Sequence, residues 1–323
     1  MKPRLMIVRI SLLLLFLLFG TLAFSQKIDS LKTDAEVLAF VRSIDKSYKD
    51  LFIVPPDLVH DLYGFQEPLK KFGPVSWEKA DFDDNGRTDL LLNGYFDLPY
   101  NHWCKRLSLV VLSYGNDSFA IQVLNKGPFM YSFAARSIVI DGKNYIKIIN
   151  YNDDGERKNS GKYFAKTDTL MYALGRFIEK STPGHFNVKK IEFGLSGGGL
   201  WDPDLNYLEI VRDSAIMVLK KFQKDSDSDR VEEYACKIDS LTTYSIYGLL
   251  NHINFPNLKE EYHVTWSDAV WNNFEINYDK GKIKRIADAG FSTYGLMALE
   301  EILIDMEKTQ HWKKISTSQV ARF

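Results

Sequence analysis

The spacing of apolar residues predicts a helix near the start of the chain. Between Val37 and Tyr48, apolar side chains recur every three or four positions, which is the period of one helix face. Thr33 precedes this pattern, and Glu36 stands three residues after it, as in a capping box. We therefore expect an amphipathic helix over about residues 34–50, ended by Pro55 and Pro56.

The pattern then changes to short apolar runs separated by turn residues, which is typical of strands. Two of the turns, Gly115-Asn116-Asp117 and Asp141-Gly142, join paired runs and predict hairpins. The predicted strands are 76–82, 89–96, 107–114, 119–124, 137–140, 145–151 and 168–177. This part of the chain is predicted to be an antiparallel sheet with a helix in front.

Turn residues at 181–184 mark a boundary, after which strands and two helices are predicted. The expected strands are 188–193, 207–212, 215–221, 232–238 and a hairpin at 273–286, with helices over 241–253 and 294–308. Segregated strands and helices favour an α+β fold class. The predicted layout is a mostly antiparallel β domain with a leading helix (26–182), a smaller α+β domain (183–314) and a C-terminal tail (315–323).

The first 25 residues have the pattern of a secretory signal peptide. Lys2, Arg4 and Arg9 precede an apolar run, and small residues lead to a cleavage site after Ser25. An uncleaved anchor is the alternative, although the apolar stretch of residues 10–24 is shorter than the ~20 residues that span hydrocarbon. We expect an exported protein, periplasmic or secreted, with no membrane span after cleavage.

Charge and cysteine content narrow the function classes. The chain has 41 Lys and Arg against 42 Asp and Glu, and removal of the signal leaves 38 against 42. No basic cluster indicates nucleic-acid binding, so the expected partners are an envelope or extracellular protein or a glycan.

We expect Cys104 and Cys236 to be two buried free thiols, although a bridge between them stays open.

One loop carries a specific chemical pattern. The segment from Asp81 to Asp89 has oxygen side chains at positions one, three, five and nine and glycine at position six. Calcium takes six to eight oxygen ligands, and this spacing can wrap carboxylates and an amide around one ion. Position twelve is Leu92, which departs from the EF-hand. The candidate metal ligands are Asp81, Asp83, Asn85, the carbonyl of Arg87, and Asp89.

This loop resembles the calcium loops of integrin-type FG-GAP repeats, D-x-D-x-[DN]-G-x-x-D, which join two strands and use no glutamate at position twelve. The resemblance covers about 20 residues and implies that Asp81, Asp83, Asn85 and Asp89 are side-chain ligands of a structural calcium ion. The alternative is a polar hairpin turn whose acids are solvated or bond local N–H groups.

A second motif suggests catalysis. Residues 194–198 match G-x-S-x-G, the nucleophile elbow of serine hydrolases, with Ser196 as the nucleophile. An elbow opens a helix, whereas the residues that follow predict a loop. We therefore expect no enzyme but a binding or scaffolding protein, with a serine hydrolase using Ser196 as the alternative.

The C-terminal part, 188–312, also resembles an uncharacterised domain family of exported bacterial proteins. The residues that carry the resemblance are Lys190 to Gly194, the 207–212 strand, Lys282 to Ile286 and the segment from Leu296 to Trp312. That family has no established activity, so the resemblance implies a fold and a location only.

Overall fold

The computed structural model describes residues 27–53, 66–97, 104–126, 134–152, 164–197, 205–221, 228–262, 270–289 and 292–321, and the chain is mostly β. The helices are α1 (Lys27–Ser30), α2 (Asp34–Ile44), α3 (Gln66–Phe72), α4 (Ser240–His252) and α5 (Tyr294–Thr309), with 3₁₀ turns at Lys46–Tyr48 and Phe255–Asn257. The strands are β1 (Leu51–Ile53), β2 (Trp77–Ala80), β3 (Asp89–Asp97), β4 (Cys104–Gly115), β5 (Ser118–Val123), β6 (Ala134–Ile140), β7 (Lys143–Asn152), β8 (Phe164–Ala173), β9 (Arg176–Glu179), β10 (Val188–Gly197), β11 (Leu205–Val211), β12 (Ser214–Lys221), β13 (Ser228–Lys237), β14 (Glu261–Tyr262), β15 (Val270–Tyr278), β16 (Lys282–Asp288) and β17 (Lys313–Ala321).

The first sheet is buried on both faces. Its strand order is β1-β3-β4-β5, and β2 also pairs with β3, always antiparallel. Leu90 and Leu92 face the cluster formed with α2, whereas Leu91 faces the second sheet. Successive strand residues point to opposite faces, so an unbroken apolar run such as Leu90-Leu91-Leu92 requires a covered surface on each side.

The second sheet, of order β6-β7-β8-β9, packs on the first through Ile146 and Ile148. Asn93 of β3 joins the two sheets. Its amide oxygen accepts a hydrogen bond from the N–H of Ala135 at 2.9 Å, and its amide nitrogen donates to the carbonyl of the same residue at 2.8 Å. The Asn93 side chain therefore satisfies the backbone of β6 as a neighbouring strand would.

The third sheet has eight strands in the order β14-β16-β15-β10-β11-β12-β13-β17. Only the β14–β16 pair within this sheet is parallel. Helices α4 and α5 pack on one face, where Phe193, Phe274, Leu249 and Leu299 belong to one buried cluster. Alternate residues of the same strands, such as Glu192 and Glu275, lie on the other face and are not part of this core.

A carboxylate of the second sheet binds the N-terminus of helix α5. Glu179, at the end of β9, accepts hydrogen bonds from the backbone N–H groups of Tyr294 and Gly295, the latter at 2.9 Å. The first N–H groups of a helix have no partner within the helix, and the helix dipole favours a negative charge at this end. Glu179 therefore fastens α5 to the second sheet.

A buried lysine balances this charge. Lys126 is 6% exposed, and its Nζ donates to the carbonyl of Ser292 at 2.7 Å. The same Nζ lies 3.8 Å from a carboxylate oxygen of Glu179, 3.9 Å from Asp168 and 4.2 Å from the centre of the Tyr294 ring. Burial lowers the pKa of Lys126, and the two carboxylates oppose this shift. We call this group of residues the junction.

Several sequence predictions are confirmed. Thr33 and Glu36 form the predicted capping box, and both predicted hairpin turns, 115–117 and 141–142, join antiparallel strands and have positive φ. Cys236 is a buried free thiol, and burial raises its pKa to about 11. The Cys104 side chain, the signal segment 1–25 and Pro55 to Pro56 lie outside the described residues. No helix of the described ranges is long and apolar enough to cross a membrane.

Three predicted boundaries were wrong. The first helix ends at Ile44 and not near residue 50, because the side chain of Asp45 accepts from Ser47 N–H and starts a 3₁₀ turn. The predicted strand 168–177 is two strands, because Leu174 and Gly175 both adopt positive φ and form a hairpin turn. The segment 315–323, predicted to be a tail, belongs to β17 as far as residue 321.

Substitution of Glu179 tests the junction. Glu179→Ala leaves two helix N–H groups without their carboxylate and removes a counter-charge of Lys126. We expect a loss of about 2–4 kcal/mol in the free energy of unfolding, measured by urea denaturation. Glu301→Ala is the matched control, because Glu301 lies on α5 and pairs with Arg176 at the surface. We expect this variant to lose less than about 1 kcal/mol of unfolding free energy. Equal losses in the two variants would contradict this assignment.

Candidate metal centre

The loop from Asp81 to Thr88 joins β2 to β3 at one end of the first sheet. Asp84 and Gly86 both have positive φ, 61° and 80°, and the backbone bends from residue 82 to residue 87. Glycine adopts this conformation without steric cost, which explains its place at the sixth position. The start of the loop lies close to its end, because the N–H of Phe82 donates to the side chain of Asp89 at 2.8 Å.

The loop brings three carboxylates together. Oxygen atoms of Asp81, Asp83 and Asp89 all lie within 4.8 Å of one another. We call these three residues the acidic cluster. It is the one group of three or more His, Cys, Asp or Glu side chains in the described ranges with this spacing. Oxygen ligands on opposite sides of a calcium ion lie about 5 Å apart, so the separation suits one cation.

Backbone N–H groups hold the two outer members of the cluster in place. Asp81 accepts from the N–H of Asn85 at 3.1 Å and of Gly86 at 2.7 Å. Asp89 is fully buried, and its two oxygens accept from Phe82 N–H and Ser113 N–H, each at 2.8 Å. The carboxylates are therefore fixed by the loop and by β4 before any ligand binds.

The other two predicted ligands have contacts of their own. The amide nitrogen of Asn85 donates to Asp83 at 2.9 Å and to the carbonyl of Ser113 at 2.9 Å, while its oxygen accepts from Arg87 N–H at 2.8 Å. Asn85 can therefore bind a metal ion only if its side-chain amide flips, so that its oxygen and not its nitrogen faces the acidic cluster. The Arg87 guanidinium lies against Gly115, at the turn between β4 and β5. The predicted set thus divides into three converging carboxylates and two residues that shape the loop.

The acidic cluster is electrostatically costly. Burial raises the pKa of Asp89 to about 7, and the nearby carboxylates of Asp83 and Asp81 add to the shift, although the two N–H donors oppose it. Burial also raises the pKa of Asp83. A cation among these oxygens would favour their ionised forms, because an opposite charge within a few ångströms stabilises a carboxylate.

Residues far away in sequence attach the loop to both sheets. Asn144 of β7 donates to the carbonyl of Asp81 at 3.0 Å, and Lys143 pairs with Asp84 at 2.6 Å. Ser113 of β4 contacts Asp89 and Asn85. Sequence reasoning missed Ser113, Asn144 and Lys143, because their contacts depend on sheet packing and leave no local pattern.

The G-x-S-x-G motif lies in a strand. Ser196 belongs to β10, opposite Trp271 of β15, and its Oγ accepts a hydrogen bond from Asn273 at 2.8 Å. Strand β10 continues to Gly197, and the residues that follow the motif, for which a loop is predicted, lie outside the described residues. Among the hydrogen bonds of the described residues, none joins Ser196 to a histidine.

Comparison of the chain with protein-family models, curated proteins and solved structures gives no match. The interpretation of the loop therefore depends on its own geometry. That geometry provides three oxygen ligands in one place and a surrounding hydrogen-bond frame.

The raised pKa of Asp89 predicts a pH-dependent stability of the metal-free protein. The folded-state pKa of about 7 lies above the ordinary value of 3.8, so the folded protein binds more protons between these two values. Protonation of Asp89 therefore stabilises the folded state by about 4 kcal/mol at most. This stabilisation is fully present below pH 3.8 and is lost as the pH rises through 7.

The measurement is urea unfolding in a calcium chelator across this pH range, for the wild type and Asp89→Asn. We expect the stability of the wild type relative to the variant to fall with rising pH, because the amide cannot take up the proton. A difference that stays flat or increases would show that Asp89 is already ionised in the folded state at low pH.

Proposed function

We propose that the protein is an exported binding or scaffolding protein whose Asp81–Asp89 loop holds a structural calcium ion. The observation that carries the proposal is the convergence of three carboxylates, one of them fully buried, on a loop with glycine at its sixth position. A polar turn that merely faced solvent would not require a buried aspartate. The resemblance of the loop to FG-GAP calcium loops supports the same interpretation.

The donor set favours calcium over other cations. The acidic cluster offers carboxylate oxygens and contains no histidine or cysteine, which zinc prefers. Magnesium needs near-ideal octahedral geometry and keeps several waters, whereas calcium accepts a flexible set of carboxylates, amides and carbonyls. The loop can supply such a set if Asn85 turns its amide oxygen inward and the Arg87 carbonyl joins it.

In this proposal the ion acts on stability and not on catalysis. It would neutralise the acidic cluster and so strengthen the attachment of the β2–β3 hairpin to β4 and β7. At ligand concentrations 100-fold above Kd, this binding would stabilise the domain by about 2.7 kcal/mol. Extracellular calcium modules bind with Kd values of about 10⁻⁴–10⁻³ M, which suits an exported protein.

The proposal includes the wider assignments made from sequence. The signal-like residues 1–25 support export to the periplasm or beyond. We further propose two parts, 26–182 with the calcium loop and an α+β part from residue 183, which present surfaces to an envelope or extracellular protein or a glycan. The near balance of basic and acidic residues argues against a nucleic-acid partner.

Calorimetric titration with calcium tests the site, with two neighbouring aspartates as test and control. We expect the wild type to release or absorb heat on binding and to melt at a higher temperature in calcium, and Asp83→Ala to lose both responses. Asp84→Asn should keep them, because asparagine tolerates the positive φ of this position, and Asp84 pairs with Lys143 and lies outside the acidic cluster. A wild type without heat or thermal shift, or an unchanged response of Asp83→Ala, would refute the calcium site.

A further inference from the structure

Helix α5 carries a glutamate within its buried stripe. Leu296, Leu299 and Leu303 of this helix are fully buried, and Glu300 lies among them with 6% of its surface exposed. Residues three and four positions apart share one face of a helix, so Glu300 occupies a position that the pattern assigns to an apolar side chain. Its neighbour Glu301 is exposed and pairs with a basic side chain at the surface. An acid at position 300 therefore needs a compensating partner inside the fold.

The partner of Glu300 is a second buried acid, Asp288, at the end of β16. Asp288 is fully buried and follows Ile286 by two positions, so both side chains lie on the face of the sheet that α5 covers. In the sheet it lies between Asn272 of β15 and Tyr262 of β14. The carboxyl groups of Asp288 and Glu300 are hydrogen-bonded to each other, and the Asn272 side chain also bonds to Glu300. We call Asp288 and Glu300 the acid pair.

A hydrogen bond within the acid pair requires a proton. An ionised carboxylate only accepts hydrogen bonds, so one of two acids in contact must be protonated to donate. Two neighbouring carboxyl groups in a buried site hold one proton between them, because both cannot ionise there. One oxygen of Glu300 is buried without a hydrogen-bond partner among the described residues, which costs a neutral carboxyl group far less than a charged one.

We propose that Glu300 is a neutral carboxylic acid in the folded protein at neutral pH, and that its proton, donated in a hydrogen bond to Asp288, fastens α5 to β16. The acid pair is then a buried proton-binding site that carries a single negative charge. Loss of the proton would place two adjacent negative charges beneath the helix. The attachment of α5 is therefore sensitive to alkaline pH.

The surrounding charges favour a proton on Glu300 and an ionised Asp288. Burial raises the pKa of Glu300 to about 10, and the carboxylates of Asp288 and Glu301 add to the shift, although the hydrogen bond from Asn272 opposes it. The charge of Lys126 acts on Asp288 and favours its ionised form. The two acids thus have different environments, which assigns the donor and the acceptor.

Lys126 belongs to the junction more than to the acid pair. Its Nζ lies 3.8 Å from Glu179 and 3.9 Å from Asp168, and these two carboxylates act on it more strongly than Asp288 does. Tyr262, beside Asp288, stays neutral near pH 7, because burial raises its pKa to about 12. The acid pair therefore depends mainly on its own proton for charge balance.

Urea unfolding of the wild type and of Glu300→Gln between pH 6 and pH 8 tests the proposal. Glutamine has the shape of the neutral acid and cannot ionise. The unfolded wild type loses the proton above the ordinary pKa of 4.5, whereas the folded protein keeps it. The unfolding equilibrium constant of the wild type, relative to that of the variant, should therefore rise about 100-fold between pH 6 and pH 8. The contribution of Asp89 is common to both proteins and cancels in this ratio.

Glu301→Gln is the matched control, because it makes the same change at the next residue, on the surface of α5. Its pH profile should follow that of the wild type. A Glu300→Gln profile parallel to the wild type, or a Glu301→Gln profile that follows Glu300→Gln, would overturn the proposal.

Infrared spectroscopy of the folded protein at pH 8 detects the proton directly. The carbonyl stretch of a neutral carboxyl group should be present in the wild type and in Asp89→Asn, and absent from Glu300→Gln. Absence of this band from Asp89→Asn would also overturn the proposal, and this outcome does not depend on the folding of Glu300→Gln. The acid pair contains no residue of the calcium loop, so its test is independent of the proposed function.

Discussion

The contact of Glu179 with the first turn of α5 is the constraint on which the arrangement of the chain depends. Glu179 ends the second sheet, and α5 packs on the third, so one carboxylate connects the two halves of the chain. A carboxylate in this position is stabilised by the helix N–H groups and by Lys126. Lys126 is itself costly to bury, and Asp168 and the Tyr294 ring offset this cost. The cost of burying each charged side chain of the junction is therefore offset by its contacts with the other members.

The burial of the first sheet on both faces explains why the loop from Asp81 to Asp89 ends in a buried carboxylate. Strand β3 is covered by α2 on one side and by the second sheet on the other, so Asp89, its first residue, has no access to water. Two backbone N–H groups compensate its oxygens in part, yet its pKa remains high. The fold thus places a carboxylate where ionisation is unfavourable without a nearby positive charge.

Local chemistry was predictable from sequence, and contacts between distant segments were not. The capping box of Thr33, the two hairpin turns at 115–117 and 141–142 and the alternation of the strands depend on residues within a few positions, so the sequence predicts them directly. The three acids of the cluster lie within nine residues and were predicted for the same reason. The pairing of β17 with β13, and the contacts of Ser113 and Asn144 with the loop, depend on sheet order, which no local pattern encodes. The positive φ of Leu174 was also hidden, because its side chain is held by packing near Gly248.

The buried carboxylates of the described residues differ in the charges that surround them. Glu232 lies beside Lys221, Arg230 and Lys314, and hydrogen bonds from Lys314 and Tyr234 lower its pKa to about 2. The acidic cluster differs, because the nearby Lys143 pairs with Asp84, and Arg87 lies against Gly115. Glu232 is therefore surrounded by three basic side chains, whereas the described contacts of the acidic cluster are mainly hydrogen bonds from local N–H groups. Since the two N–H donors do not offset the burial of Asp89, whose pKa is raised to about 7, the proposed cation would complete the charge balance of the loop.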